Sequence, residues 1–182
     1  MALIIIGHPY YNNSVANKAI VEELKKSKLN IEIRNLAELY PDFKIDVKQE
    51  QEAILRHQSI IIQYPLFWYN MPAILKHWID VVFDYGFAYG SSGYKMEGKN
   101  FIPSFTVGGP EDQYNTLGDH HFKIFEFTKN LEQTAYFTKM KYIDAVYFHG
   151  AAVNANNSLE VVLEKAKQQS HKLEELVLAI EN

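Results

Sequence analysis

The chain is expected to fold as an α/β protein: a five-stranded parallel sheet with helices on both faces, three layers in all. Three observations predict this. Short runs of branched aliphatic residues, such as Leu3-Ile4-Ile5-Ile6 and Ile60-Ile61-Ile62, have the pattern of strands buried on both faces. These runs alternate with amphipathic segments of helical period, and strands alternating with helices build a parallel sheet through right-handed crossovers. Several runs stop at a glycine, proline or aromatic turn, and in open α/β sheets ligands bind outside the carboxyl ends of the strands.

The first strand spans 2–6 and leaves through Gly7-His8-Pro9. Ser14 is placed to cap a helix over 15–26, with Ala16, Ala19, Ile20 and Leu24 facing inward. A second strand follows at 30–36, a loop over the sheet at 36–47, and a short helix at 48–57. The third strand, 59–64, opens the most distinctive stretch, Gln63-Tyr64-Pro65-Leu66-Phe67-Trp68-Tyr69. Pro72 suits the first position of the next helix, since its missing N–H would be unpaired there. That helix puts Leu75, Trp78, Ile79, Val82 and Phe83 on one stripe. An aperiodic excursion at 86–100 has the length of a functional or interface loop. A fourth strand is expected at 101–107, a polar loop at 111–121, an aromatic-faced helix at 122–137 and a fifth strand at 142–149. The last helix, 159–180, places Leu159, Val162, Leu163, Ala166, Leu173, Leu176, Val177 and Ile180 on one stripe.

The 182 residues suit a single domain, 1–182, with a substantial core. With 47% hydrophobic and 22% charged residues the composition is that of a soluble globular protein. A net charge of −4 offers no nucleic-acid surface and no polybasic membrane patch. The absence of cysteine excludes disulfides, thiolate nucleophiles and cysteine-based metal sites. The N-terminal apolar run lacks a basic leader, so it reads as a strand, and a cytoplasmic location is expected.

Four groups of residues carry the candidate chemistry. His8, Ser14 and Asn17 surround a helix N-terminus, whose free N–H groups and dipole suit a phosphate; in the plainer alternative Ser14 only caps the helix. Pro65 to Trp68 form an aromatic rim for a flat ligand, or else core or dimer packing. Thr106-Val107-Gly108-Gly109 end a strand in two glycines, which permit close backbone approach or simply make a turn. Tyr114 with His120 or His121 could donate hydrogen bonds to developing negative charge. Neither a dinucleotide-binding glycine fingerprint nor a nucleotide-hydrolysing loop is present, and no metal site is expected, because the loop 111–121 lacks a recurring ligand spacing.

The count of five strands fits the flavodoxin-like order better than the larger dinucleotide-binding type. The motifs go further. Gly7-His8-Pro9 with Ser14 and Asn17, Leu39-Tyr40-Pro41-Asp42-Phe43, Glu50-Gln51, the 63–69 stretch, Met71 to Lys76, Trp78-Ile79-Asp80, Gly86-Phe87-Ala88-Tyr89-Gly90 and Thr106 to Gly109 resemble the flavodoxin-like NAD(P)H:quinone oxidoreductases over nearly the whole chain. The similar branch includes ancillary subunits of glutathione-gated potassium efflux systems and general stress proteins. The resemblance implies a homodimer with flavin sites at the subunit interface. His8, Ser14, Ala16 and Asn17 would take the flavin phosphate and ribityl end. Pro65, Leu66, Phe67 and Trp68, with Thr106, Val107, Gly108 and Gly109, would wrap the ring. Tyr114 and His120 would be catalytic, and Tyr89 would reach toward the partner's site.

Phe67 and Val107 depart from the polar residue and the threonine common in relatives. The chain also lacks the C-terminal extension of the mammalian FAD enzymes, so FMN is expected, with FAD as the alternative. The implied reaction is two-electron and ping-pong: NADPH or NADH gives a hydride to flavin N5 and leaves, and a quinone or similar acceptor then takes the electrons from the same slot. Two other readings differ in class: a regulatory subunit of a potassium-efflux transporter with secondary oxidoreductase activity, and an electron-carrying flavodoxin.

Overall fold

Ile31–Asn35 (β2), Ala2–Ile6 (β1), Ser59–Pro65 (β3) and Asn100–Val107 (β4) lie side by side in that spatial order, all parallel, in a computed structural model that describes residues 1–91, 93–154 and 156–181. The excursion at 86–100 is described apart from residue 92. The fifth place is filled by two short segments, Lys141–Tyr142 (β5) and Val146–His149 (β6), both paired with β4. The fold is the flavodoxin-like order 2-1-3-4-5, with the order reversing between β1 and β3. Among the described residues no helix is long and apolar enough to cross a membrane.

The break in the fifth strand, expected to run unbroken over 142–149, has a physical cause in β4. Asn100 pairs with Lys141 and Phe101 with Tyr142, but Ser104 pairs with Val146, so one extra residue is accommodated between the two segments. The carbonyls of Lys99, Phe101 and Val107 accept hydrogen bonds from Lys141, Ile143 and Ala151, so the odd-numbered residues of β4 face this neighbour. Pro103 is the odd-numbered residue at the break. It has no N–H to give, and the ladder bulges around it.

Helices cover both faces. Val15–Lys26 (α1) and Leu159–Glu181 (α6) lie on one, where Ile4, Ile6, Ile20, Leu24, Ile61, Ile102, Ala166 and Leu173 form a core. Leu36–Leu39 (α2), Val47–Arg56 (α3), Ala73–Val82 (α4) and Lys129–Phe137 (α5) belong to the other, around Leu75, Trp78, Phe101 and Phe105. Four expectations change in detail. The 36–47 loop contains α2. Pro72 caps α4 with an extended ψ of 152° instead of starting its first turn. The helix expected over 122–137 begins only at 124, as a 3-10 turn, Ile124–Thr128, and both Phe122, before it, and Phe125, within it, are exposed. On α6, Leu159 and Leu163 are exposed, while Gln169 and Ser170 are buried where the apolar stripe has a gap.

A polar knot ties the α3–α4 face to the sheet. Glu50 is fully buried; its carboxylate accepts from Arg34 (2.7 Å), Tyr40 (2.6 Å) and the Trp78 indole (2.9 Å). Burial acts to lower the Arg34 pKa, and the bond and charge of Glu50 outweigh it, so the guanidinium pKa is raised.

Candidate functional site

The reversal of strand order opens a cleft of about 340 Å³ at the carboxyl ends of β1, β3 and β4. Its floor depends on close packing. Gly7 follows β1, and a Cβ there would lie 2.6 Å from the Leu75 Cβ of α4. His8, Asn13 to Asn17, Pro65, Leu66, Phe67, Thr106, Gly108 and the 151–153 loop line the cleft. No Asp or Glu is among them, and the size suits a small-molecule site.

The hydrogen bonds at the α1 end have a direction. Ser14 Oγ accepts from the backbone N–H and the side-chain amide of Asn17, each at 3.2 Å. The same amide donates to Thr106 Oγ1 (3.0 Å), and Asn17 Oδ1 accepts from Gln63 Nε2 (2.8 Å). Both hydroxyl oxygens are therefore occupied as acceptors, which leaves each O–H free to donate into the cleft. The N–H groups of Val15 and Ala16 lie in the first turn, where no intrahelical acceptor exists. The Tyr10 N–H donates to His8 Nδ1 at 3.0 Å, so neutral His8 carries its proton on Nε2 and adds another donor. Donors converging on an acid-free pocket suit a phosphate group.

A second cluster sits beside the strand end of β4. The Tyr114 and His120 rings stack at 4.1 Å, and Tyr69 OH lies 3.3 Å from His120 Nδ1. A Cβ on Gly109 would lie 3.1 Å from His120 Nε2 and 3.3 Å from the Tyr114 ring, so only glycine leaves this packing undisturbed. Behind it, His149 Nδ1 donates to the Gly109 carbonyl (3.2 Å), and its ring lies 5.0 Å from that of Tyr114. Burial, and then Tyr69, push the Tyr114 pKa up, keeping the phenol a donor at neutral pH. His121 takes a positive φ of 55°, and its Nδ1 lies 3.5 Å from the Thr116 carbonyl; His120 is the histidine held against Tyr114.

The expected residues thus divide. His8, Ser14, Ala16, Asn17, Pro65, Leu66, Phe67, Thr106 and Gly108 line the cleft, and Gly109, Tyr114 and His120 form the neighbouring cluster. Val107 is fully buried on the α4 face and presents no side chain to the cleft. Trp68 is 91% exposed. Phe67 and Asn70 bond in both directions (2.9 and 3.1 Å) around Trp68 and Tyr69, which take φ values of 47° and 63°. That two-residue turn normally uses Asn or Gly, and each aromatic residue in it costs on the order of 1 kcal/mol. Tyr69 is held by Phe127 at 5.2 Å and by His120, which leaves Trp68 pointing outward. Sequence reasoning missed Asn13, Val15, the 151–153 loop and the amide of Gln63. Gln63 had a readable signal: an uncharged polar residue ending an otherwise aliphatic buried strand.

His8 and His149 share an electrostatic consequence. Burial lowers both pKa values below the ordinary 6.5. The unfolded chain then binds protons that the folded chain does not, so stability is full above about pH 6.5 and falls as the pH drops through the lowered values. Melting temperatures of the flavin-free protein are expected to decline below pH 6.5, and His8→Asn and His149→Asn each to flatten the decline. Variant and parent melts with the same pH dependence would contradict this.

Comparison with known proteins gives a consistent picture. The family model described as flavodoxin-like fold matches residues 1–173. The glutathione-regulated potassium-efflux system ancillary protein KefF of Enterobacter sp. (strain 638) is 39% identical over 170 residues, 93% of this chain and 94% of that protein. The general stress protein 14 of Treponema denticola, crystallised with FMN, superposes with a TM-score of 0.84 at 29% identity over 94% of each chain. An NADPH-quinone reductase from P. pentosaceus superposes with a TM-score of 0.77 at 26% identity, covering 93% of this chain and 97% of that one.

Proposed function

Because the chain belongs to the flavodoxin-like fold family, we propose that it is a flavin-dependent NAD(P)H:quinone oxidoreductase that holds FMN in the cleft between β1, β3 and β4. The observation that carries this reading is the acid-free cleft at the strand-order reversal, with the Ser14 and Thr106 hydroxyls left free to donate. FMN bound to a relative of 0.84 TM-score and the name of the reductase relative support it. When bound, the flavin supplies hydride acceptance from NAD(P)H and two-electron delivery to a quinone or similar acceptor. FAD is the alternative form of the cofactor.

The chain's own groups bind, orient and hold protons. His8 Nε2, the Ser14 and Thr106 hydroxyls and the first-turn N–H groups of Val15 and Ala16 receive the phosphate. Pro65 to Phe67 and the adjoining Thr106, Gly108 and Gly109, side by side at the ends of β3 and β4, would meet the ring. Trp68 and Tyr69, exposed at the tip of a strained turn, suit a surface that a second copy covers; we propose a homodimer with Tyr89 directed toward the partner's site. Tyr114 and His120 act as hydrogen-bond donors that stabilise negative charge at the ring edge nearest Gly109. Tyr114→Phe and His120→Ala are each expected to slow NADPH-dependent bleaching about 100–1000-fold, the range of one charge-stabilising donor, while flavin stays bound. Stopped-flow rates equal to the parent's would remove both residues from this role.

One slot serving NAD(P)H and quinone in turn gives ping-pong kinetics. Initial rates at several fixed quinone concentrations should give parallel double-reciprocal lines; intersecting lines would contradict a shared slot. A second reading, an ancillary subunit of a potassium-efflux transporter, is favoured by the 39% identity to KefF. Co-purification with a membrane transport protein would support it.

A further inference from the structure

The hydrogen bonds that orient the cleft hydroxyls extend beyond Gln63. Ser104 Oγ donates to Gln63 Oε1 at 2.6 Å, and Gln169 Nε2, from α6, donates to Ser104 Oγ at 2.8 Å. Asn17, Gln63, Ser104, Thr106 and Gln169 are all buried, none more than 4% exposed. A polar row therefore crosses the α1–α6 face of the sheet, from α6 through β4 and β3 to α1, within a layer otherwise filled by Ile, Leu, Val and Ala. Apolar side chains of similar shape would fill that space at little or no cost, so stability alone does not account for the row.

Such a row can run in two senses. In the sense present, each amide donates toward the cleft, and the loose end is Gln169 Oε1, buried without a partner. In the reverse sense the Ser14 and Thr106 hydroxyls would donate inward to Asn17 and turn lone pairs toward the cleft. The loose end would then be the Gln169 amide NH₂. A buried N–H without a partner is the rarer and costlier defect, so ending the row in a glutamine selects the outward sense.

We propose that Gln169 is a positioning residue for anion binding, which acts through Ser104, Gln63 and Asn17 to keep the Ser14 and Thr106 hydroxyls as donors to a phosphate in the cleft. The proposal rests on reading the cleft as a flavin-phosphate site. It predicts a selective effect: disturbing Gln169 weakens binding of FMN, which has the phosphate, and spares riboflavin, which lacks it. Gln169→Glu replaces the terminal donor by an acceptor and favours the reverse sense. Gln169→Leu cuts the row without adding charge. Gln168→Glu adds the same charge one residue away, on an exposed side chain outside the row that bonds to Glu164.

The experiment is titration of the flavin-free protein with FMN and with riboflavin, followed by flavin fluorescence. Gln169→Glu is expected to weaken FMN about tenfold, a hydrogen bond to a charged group, with riboflavin unchanged within about twofold. Gln169→Leu should show a smaller loss with the same selectivity, and Gln168→Glu little change. The proposal is overturned if both Gln169 variants bind FMN as the parent does, if the two flavins weaken equally, or if Gln168→Glu matches Gln169→Glu. Should Gln169→Glu not fold, Gln169→Leu with Ser104→Ala gives the same contrast between flavins. A parent protein that shows no preference for FMN over riboflavin would instead remove the phosphate assignment of the cleft itself.

Discussion

Glu50→Ala is expected to destabilise the flavin-free protein by about 3–5 kcal/mol, the range for removing one partner of a buried ion pair, with Glu32 at 3.5 Å left as a carboxylate for Arg34. Arg34 would keep its charge with only 11% of its side chain exposed, and the Tyr40 hydroxyl and Trp78 indole N–H would each lose an acceptor. At roughly 2–4 °C per kcal/mol for a domain of this size, the melting temperature should fall by about 6–20 °C. Glu50→Gln keeps an acceptor for Trp78 but leaves Arg34 only the Glu32 carboxylate, at 3.5 Å, as a charged partner, so it should fall between the two. Urea denaturation of the three proteins measures this. A Glu50→Ala variant within about 1 kcal/mol of the parent would show that the knot contributes little to stability.

Asn17→Leu is expected to weaken FMN binding on the order of 100-fold, close to twice the free-energy loss of a single charge-assisted contact. Asn17 is the branch point of the cleft's hydrogen bonds: it receives the Gln63 amide and holds both hydroxyl oxygens. Without it, Ser14 and Thr106 are free to turn away from the ligand, and the Gln63 donor is left buried and unpaired. Folding stability should fall as well, by about 1–3 kcal/mol. The two effects separate experimentally, because FMN affinity is read at a temperature where the variant remains folded. A folded Asn17→Leu protein with parental FMN affinity would remove the phosphate site from this end of the cleft.

Most of the architecture was legible in sequence because long-range order follows from local pattern. Aliphatic runs such as Ile4-Ile5-Ile6 and Ile60-Ile61-Ile62 mark strands buried on both faces, and the stripe from Leu75 to Phe83 marks a helix packed on them. That residues at the ends of β1, β3 and β4 line one candidate cleft was readable for the same reason, since parallel strands bring their carboxyl ends to one rim. Three features were not. The break in the fifth strand originates in Pro103 of the neighbouring strand, and no local pattern in 142–149 records it. The outward turn of Trp68 depends on Tyr69 packing against Phe127 and His120, which are remote in sequence. The direction of the buried polar row depends on Gln169, 65 residues from Ser104. A glutamine in a helical stripe reads as a gap in the apolar face until its partner is seen.

The most direct test of the central claim is the absorption spectrum of the protein purified and reconstituted with FMN, recorded without oxygen before and after NADPH. The proposed function predicts a bound-flavin spectrum that bleaches fully to the two-electron reduced form on addition of NADPH and returns when a quinone is added. A protein that remains colourless with either FMN or FAD, or a bound flavin that NADPH leaves oxidised, would contradict it.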